Sequence, residues 1–142
     1  MSALEVTATW RGGYAATVEG RGHTVAVDEP ASAGGNDDGF MPTELLCAAL
    51  ASCFCLAIGH VARQRGLELS GLRVHVRAER AEGELRYDRV VVTATADGAD
   101  EQLAGLAARA RRLCWVSNTL ATPPAVEYRT TSGEGSTRLE VS

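Results

Sequence analysis

Four cysteines, Cys47, Cys53, Cys55 and Cys114, have the widest chemistry of any residues in this chain. A thiolate can act as nucleophile, metal ligand or redox centre, whereas a buried, protonated thiol packs as a small hydrophobe. Cys47, Cys53 and Cys55 lie close together, and Cys114 follows about 60 residues on. A helix advances about 100° per residue, so Cys55 points nearly opposite to Cys53, and Cys47 lies about 120° from it. On a straight helix the three cannot serve one site. Three readings stand side by side. Core packing suits Cys47 and Cys55, and on composition alone it also suits Cys53. Metal binding would use the Cys53-Phe54-Cys55 pair with His60 or Cys114, but mid-helix Cys-x-Cys thiols diverge, and neither CxxC nor HxxxH occurs. The third reading is redox chemistry at Cys53 and Cys114.

The elements that must position these thiols follow from periodicity. Leu4 to Trp10 alternates apolar and polar residues, as a half-buried strand does. Gly12-Gly13 supplies a turn, a second strand runs Tyr14 to Val18, and His23 to Val27 completes an antiparallel meander. Pro30 to Met41, rich in Gly, Asn and Asp, is a loop that delivers the chain into a long helix. That helix starts near Pro42, where a missing N–H costs nothing. Glu44 complements its positive end. It runs to Arg65, with Gly66 as the stop. Leu45 to Ile58 is apolar on all sides, which predicts full burial. Leu46, Ala49, Leu50, Leu56, Ala57 and His60 share the face of Cys53.

Leu72 to Glu79 and Arg89 to Ala96 read as paired strands around a Glu82-Gly83 turn. A second helix starts at Asp97 to Asp100, carries Leu103, Leu106, Ala107, Ala110 and Leu113 at helical spacing, and ends around Cys114. Ala125 to Arg129 is a last strand. Thr130 to Thr137 reads as a mobile tail, with a short edge strand at Arg138 to Val141. The order predicts an α+β fold in a single domain over residues 1–142.

The bulk numbers narrow the function. The chain has 142 residues, 45% hydrophobic and 23% charged, as an ordinary globular domain does. Only 5% is aromatic, so small side chains must fill the core, and a second subunit is expected to cover part of the apolar surface. Net charge is −4. Arg109, Arg111 and Arg112 are a helix's wet face and C-terminal end, so nucleic-acid binding is not indicated. The N-terminus lacks a signal-peptide pattern. The apolar run Leu45 to Gly59 falls short of the ~20 residues of a membrane span. The expected compartment is the cytoplasm, where thiols stay reduced and four cysteines serve chemistry or packing before structural disulfides.

Two longer motifs carry a resemblance. Gly34-Gly35-Asn36-Asp37-Asp38-Gly39-Phe40-Met41-Pro42-Thr43-Glu44-Leu45-Leu46, followed by Ala48-Ala49-Leu50-Ala51-Ser52-Cys53, resembles the first motif of the OsmC/Ohr family. Cys114-Trp115-Val116-Ser117-Asn118-Thr119-Leu120 resembles its second, normally Cys-Pro-Val-Ser. Asp28-Glu29-Pro30 matches the end of the family's N-terminal sheet. The resemblance covers Leu4 to about Tyr128, with both motifs in the family's order and separation.

The resemblance implies an OsmC-like fold, with antiparallel sheets around a long buried central helix plus a second helix, assembled as an intertwined homodimer with sites at the subunit interface. It implies a thiol-dependent peroxidase acting on organic hydroperoxides or hydrogen peroxide, with no cofactor. Cys53 would be the peroxidatic cysteine, oxidised to a sulfenic acid, and Cys114 the resolving cysteine. A dithiol or thioredoxin-like reductant would reopen the disulfide. Family members activate the thiol with an Arg from the N-terminal sheet, and Arg11 and Arg21 are the candidates. Glu44 is the Pro-x-Glu carboxylate, which helix geometry places about 180° from Cys53. The Ohr branch carries a Glu where Thr43 stands, so the chain departs toward the broader OsmC-like members. Trp115 in place of Pro is a second departure. Two other classes stay open: a non-enzymatic module binding a small apolar ligand, and a thiol redox sensor or metal carrier.

Overall fold

The computed structural model describes residues 3–98, 100–132 and 135–141. It has α+β architecture, with antiparallel sheets and helices. The chain resolves into two compact units, Met1–Ser52 with Val74–Ala94, and Cys53–Arg73 with Thr95–Ser142.

The first unit opens with the expected meander: β1 (Thr7–Gly12), β2 (Ala15–Gly20) and β3 (His23–Val27), in that spatial order. Both hairpins are antiparallel, with registers such as Thr9↔Thr17 and Val18↔Val25. In the second turn Arg21 and Gly22 have φ of 52° and 81°. Positive φ at both central positions is the backbone that matches the strands' right-handed twist. The expected half-buried strand from Leu4 differs from β1, which starts at Thr7 and is exposed along nearly its whole length. Apolar alternation alone does not bury an edge strand. β4 (Arg73–Arg80) and β5 (Tyr87–Thr95) form the second hairpin. Its turn is closed by the Ala81 N–H, which donates to the Arg86 carbonyl at 3.0 Å.

Between β3 and the long helix lies the Gly/Asp loop, containing a short 3-10 turn at Ala31–Ala33. The helix α1 spans Pro42–Gln64. Its C-terminus closes as a Schellman motif around Gly66 (φ 66°). There Leu67 N–H reaches the Ala62 carbonyl at 2.9 Å, and Gly66 N–H reaches that of Arg63 at 3.1 Å. The apolar run Leu45 to Gly59 understates this element. Among the described residues α1 is the one helix long and apolar enough, by length and composition, to cross a membrane.

Full burial of Leu45 to Ile58 is not what the fold produces. Leu50, Phe54, Ala57, Ile58, Val61 and Ala62 are buried. Leu46, Ala49, Ser52, Leu56 and His60 are exposed instead, Leu46 at 48% and Leu56 at 75%. Spacings of three and four put these five on one stripe. A chain of this size does not enclose such a helix on every side.

In the second unit α2 (Asp100–Leu113) buries Leu103, Leu106 and Ala110. Cys114 falls one turn further along the same stripe and is also buried. There the chain leaves the helix, and a short helix missed by periodicity follows at once: α3 (Trp115–Ala121). β6 (Glu127–Ser132) and β7 (Gly135–Val141) pair antiparallel from Glu127↔Val141 to Ser132↔Gly135. The Ser/Thr/Gly composition that suggests a mobile tail therefore runs into two strands, because the ladder's hydrogen bonds override weak side-chain preference.

Candidate functional site

Cys53 lies on α1 at the edge between its buried face and its exposed stripe, and is half-buried. Cys114 is completely inaccessible, at 0% exposure. Although about 60 residues separate them in sequence, the two thiols come close enough for Cys53 to help lower the Cys114 pKa. Both are free. Local structure explains where Cys114 points. Its extended backbone (φ −83°, ψ 103°) makes it the N-cap of α3, so the first N–H groups of that helix turn toward it.

The Cys114 thiol is thereby held below its ordinary pKa of 9.0. Burial pushes the other way and is the largest single influence; the Ser117 hydroxyl, the Ser117 N–H, the Cys53 thiol and the Val116 N–H together outweigh it. The sulfur closes no capping hydrogen bond, so these groups act as oriented dipoles near it. Ser117 Oγ also donates to the Cys114 carbonyl at 3.2 Å. Trp115, the first helical residue, is 82% exposed.

The remaining candidates have local partners of their own. Arg11, on exposed β1, donates from Nε to Thr17 Oγ1 at 3.2 Å on the neighbouring strand. Arg21 occupies the β2–β3 turn. Glu44 Oε1 accepts the Met41 N–H at 2.8 Å, half of a capping box at the α1 N-terminus. His60 is exposed and Cys55 half-buried. Cys47 is also half-buried, but its surroundings are less apolar than core packing suggests. It lies near the Tyr87 phenol, whose pKa is lowered by Thr43 and then by the Arg80 side chain, against opposing burial and the nearby Cys47. No group of three or more His, Cys, Asp or Glu among the described residues could hold a metal ion.

Sequence reasoning named Asp28 only as the end of the N-terminal sheet and missed its role; it is 1% exposed. Its carboxylate accepts the N–H groups of Glu29 at 2.8 Å, Asn36 at 3.2 Å and Asp38 at 3.3 Å. The Glu29 N–H does most to lower its pKa; burial opposes this, and the Asp38 and Asn36 N–H groups add to it. Asp28 N–H donates to the Phe40 carbonyl at 3.1 Å, so one residue gathers both ends of the loop. The loop's glycines are then required by space: a Cβ on Gly35 would lie 2.0 Å from the Glu29 carbonyl oxygen, and one on Gly39 2.3 Å from that of Ala26. The signal for Asp28 was its place just ahead of Pro30 and a Gly/Asp loop rich in unpaired N–H groups.

The sequence model of the family described as OsmC-like protein matches residues 34–129, a span holding both thiols. No curated protein matches the sequence. Among solved structures, one of a putative osmotic stress induced and detoxification response protein from Psychrobacter arcticus superposes with a TM-score of 0.73 at 22% identity, covering 84% of this chain and 89% of the other. An organic hydroperoxide resistance protein OsmC from Legionella pneumophila gives 0.65 at 25% identity, covering 84% and 90%. An organic hydroperoxide resistance protein from Elizabethkingia anophelis gives 0.65 at 27% identity, covering 87% and 89%.

Proposed function

The chain belongs to the OsmC-like protein family, and from that premise we propose that it is a cysteine-based, thiol-dependent peroxidase for organic hydroperoxides or hydrogen peroxide. The observation that carries this reading is the nearness of the half-buried Cys53 thiol to the inaccessible Cys114 thiol, close enough to help lower the Cys114 pKa. A packing role needs no such pairing, and a second cysteine within reach is what converts a sulfenic acid into a disulfide.

The Cys53 thiolate attacks one peroxide oxygen. The O–O bond breaks, the alcohol (or water) leaves after taking up a proton, and Cys53 becomes a sulfenic acid. The Cys114 thiolate then attacks the Cys53 sulfur, hydroxide departs as water, and a Cys53–Cys114 disulfide forms. A dithiol or thioredoxin-like reductant supplies the two electrons that reopen it. The family resemblance assigns the activating role to an arginine from the N-terminal sheet, Arg11 before Arg21, and the Glu44 carboxylate belongs to the first motif. The protein works in the reducing cytoplasm as a homodimer, whose second copy covers the α1 stripe of Leu46, Ala49 and Leu56. Two relatives at 25% and 27% identity bear the name organic hydroperoxide resistance protein, which supports the peroxide class.

The test is a thiol titration of the reduced protein before and after one equivalent of cumene hydroperoxide, with peptide mapping. Loss of two thiols per chain and a Cys53–Cys114 link are expected, and Cys53→Ser should abolish peroxide turnover. No thiol loss would overturn the reading in favour of a non-enzymatic module that binds a small apolar ligand, and turnover retained in Cys53→Ser would overturn the Cys53 mechanism.

A further inference from the structure

The two thiols of the pair are not equivalent. Cys53 is half-buried, and Cys114 has no accessible surface. A disulfide joining them would present only one sulfur to an incoming reductant. Thiol–disulfide exchange depends on which sulfur is attacked, on access to it, and on how readily the other sulfur departs as a thiolate. We infer that the reductant attacks the Cys53 sulfur, that Cys114 is the leaving group, and that Ser117 is the residue that positions and stabilises the departing Cys114 thiolate. This rests on the Cys53–Cys114 chemistry proposed above and deepens it by assigning the direction of the reductive step.

The step balances. A thiolate of the reductant forms a new S–S bond to Cys53 as the Cys53–Cys114 bond breaks, and the electron pair leaves on the Cys114 sulfur. The second thiol of the reductant then attacks its own sulfur in the mixed disulfide and releases Cys53. Cys114 has the Ser117 hydroxyl close by, and that hydroxyl helps to lower its pKa against burial. Ser117 Oγ lies 3.2 Å from the Cys114 carbonyl oxygen. Rotation about its C–O bond can redirect its single proton from that carbonyl to the sulfur once charge develops there. The depressed pKa of Cys114 agrees with this assignment, since a thiol of lower pKa leaves faster. The Cys-x-Val-Ser spacing acquires a reason: a residue three beyond the N-cap brings its side chain back over the cap.

The experiment uses the full chain oxidised with diamide, so that the disulfide is made without peroxide. The oxidised protein is treated briefly with the monothiol 2-mercaptoethanol, quenched in acid, blocked with N-ethylmaleimide and mapped. The mercaptoethanol adduct is expected on Cys53 and the maleimide on Cys114. The reverse distribution, or no Cys53–Cys114 link after diamide, overturns the inference. Ser117→Ala should slow reduction of the diamide-made disulfide several-fold and shift its pH profile, and Ser117→Thr should restore both. An unchanged rate in Ser117→Ala overturns the part assigned to Ser117. A protein that fails to consume peroxide yet passes these tests would lose the proposed activity and keep the assigned direction of attack.

Discussion

Asp28 shows how much one side chain can organise. Its carboxylate holds three N–H groups of a loop that would otherwise bury unpaired donors. Its pKa lies below the ordinary 3.8, so its contribution to stability is fully present above that value and is lost as pH falls through the lower, folded-state pKa. Asp28→Asn should therefore lower the melting temperature at neutral pH, with the gap closing as pH drops below 3.8. Thermal unfolding over a pH series checks this; a gap independent of pH would mean that the charge contributes nothing. Gly39→Ala should destabilise by about 1–3 kcal/mol in denaturant unfolding, since its Cβ would meet the Ala26 carbonyl oxygen at 2.3 Å.

At the scale of elements, the helix termini carry the argument. Glu44 at the start of α1 accepts the Met41 N–H, and Glu44→Ala should cost about 1 kcal/mol as measured by urea unfolding. Trp115 occupies the first position of α3, where the family's second motif has Pro. The preceding residue, Cys114, already has the extended backbone (φ −83°, ψ 103°) that a following Pro requires. Trp115→Pro is therefore expected to stabilise the protein by about 0.4–1 kcal/mol through lost unfolded-state entropy. A destabilised variant in the same assay would mean that the indole makes contacts beyond this chain.

For the molecule as a whole, the exposed stripe on α1 is the feature a single chain leaves unresolved. Leu46 and Leu56 remain 48% and 75% exposed on a helix whose other face is core. Burial of apolar surface stabilises by about 25 cal/mol per Å², so a second copy laid over this stripe is a strong source of association. Leu56→Glu should convert a dimer into a monomer, read as a halved mass in light scattering; a wild-type protein that is already monomeric would sink the proposed assembly.

The start of α1 at Pro42, its stop at Gly66, the apolar stripe of α2 and the meander of short strands were all legible in the sequence. Each is encoded within a few consecutive residues, by periodicity or by the backbone freedom of one glycine. The proposed pairing of Cys53 with Cys114 rests in the sequence only on two separated motifs of one family, because no local rule connects positions so far apart. Packing alone decided the rest. Which side of α1 stays exposed depends on how much chain there is to cover it. The N–H groups gathered by Asp28, the polar contacts of Thr43 and Arg80 with Tyr87, and the unequal access of the two thiols arise from segments brought together in space. The α3 helix escaped notice because its seven residues are too few to show a period, and its start is set by the backbone turn at Cys114 rather than by a capping side chain.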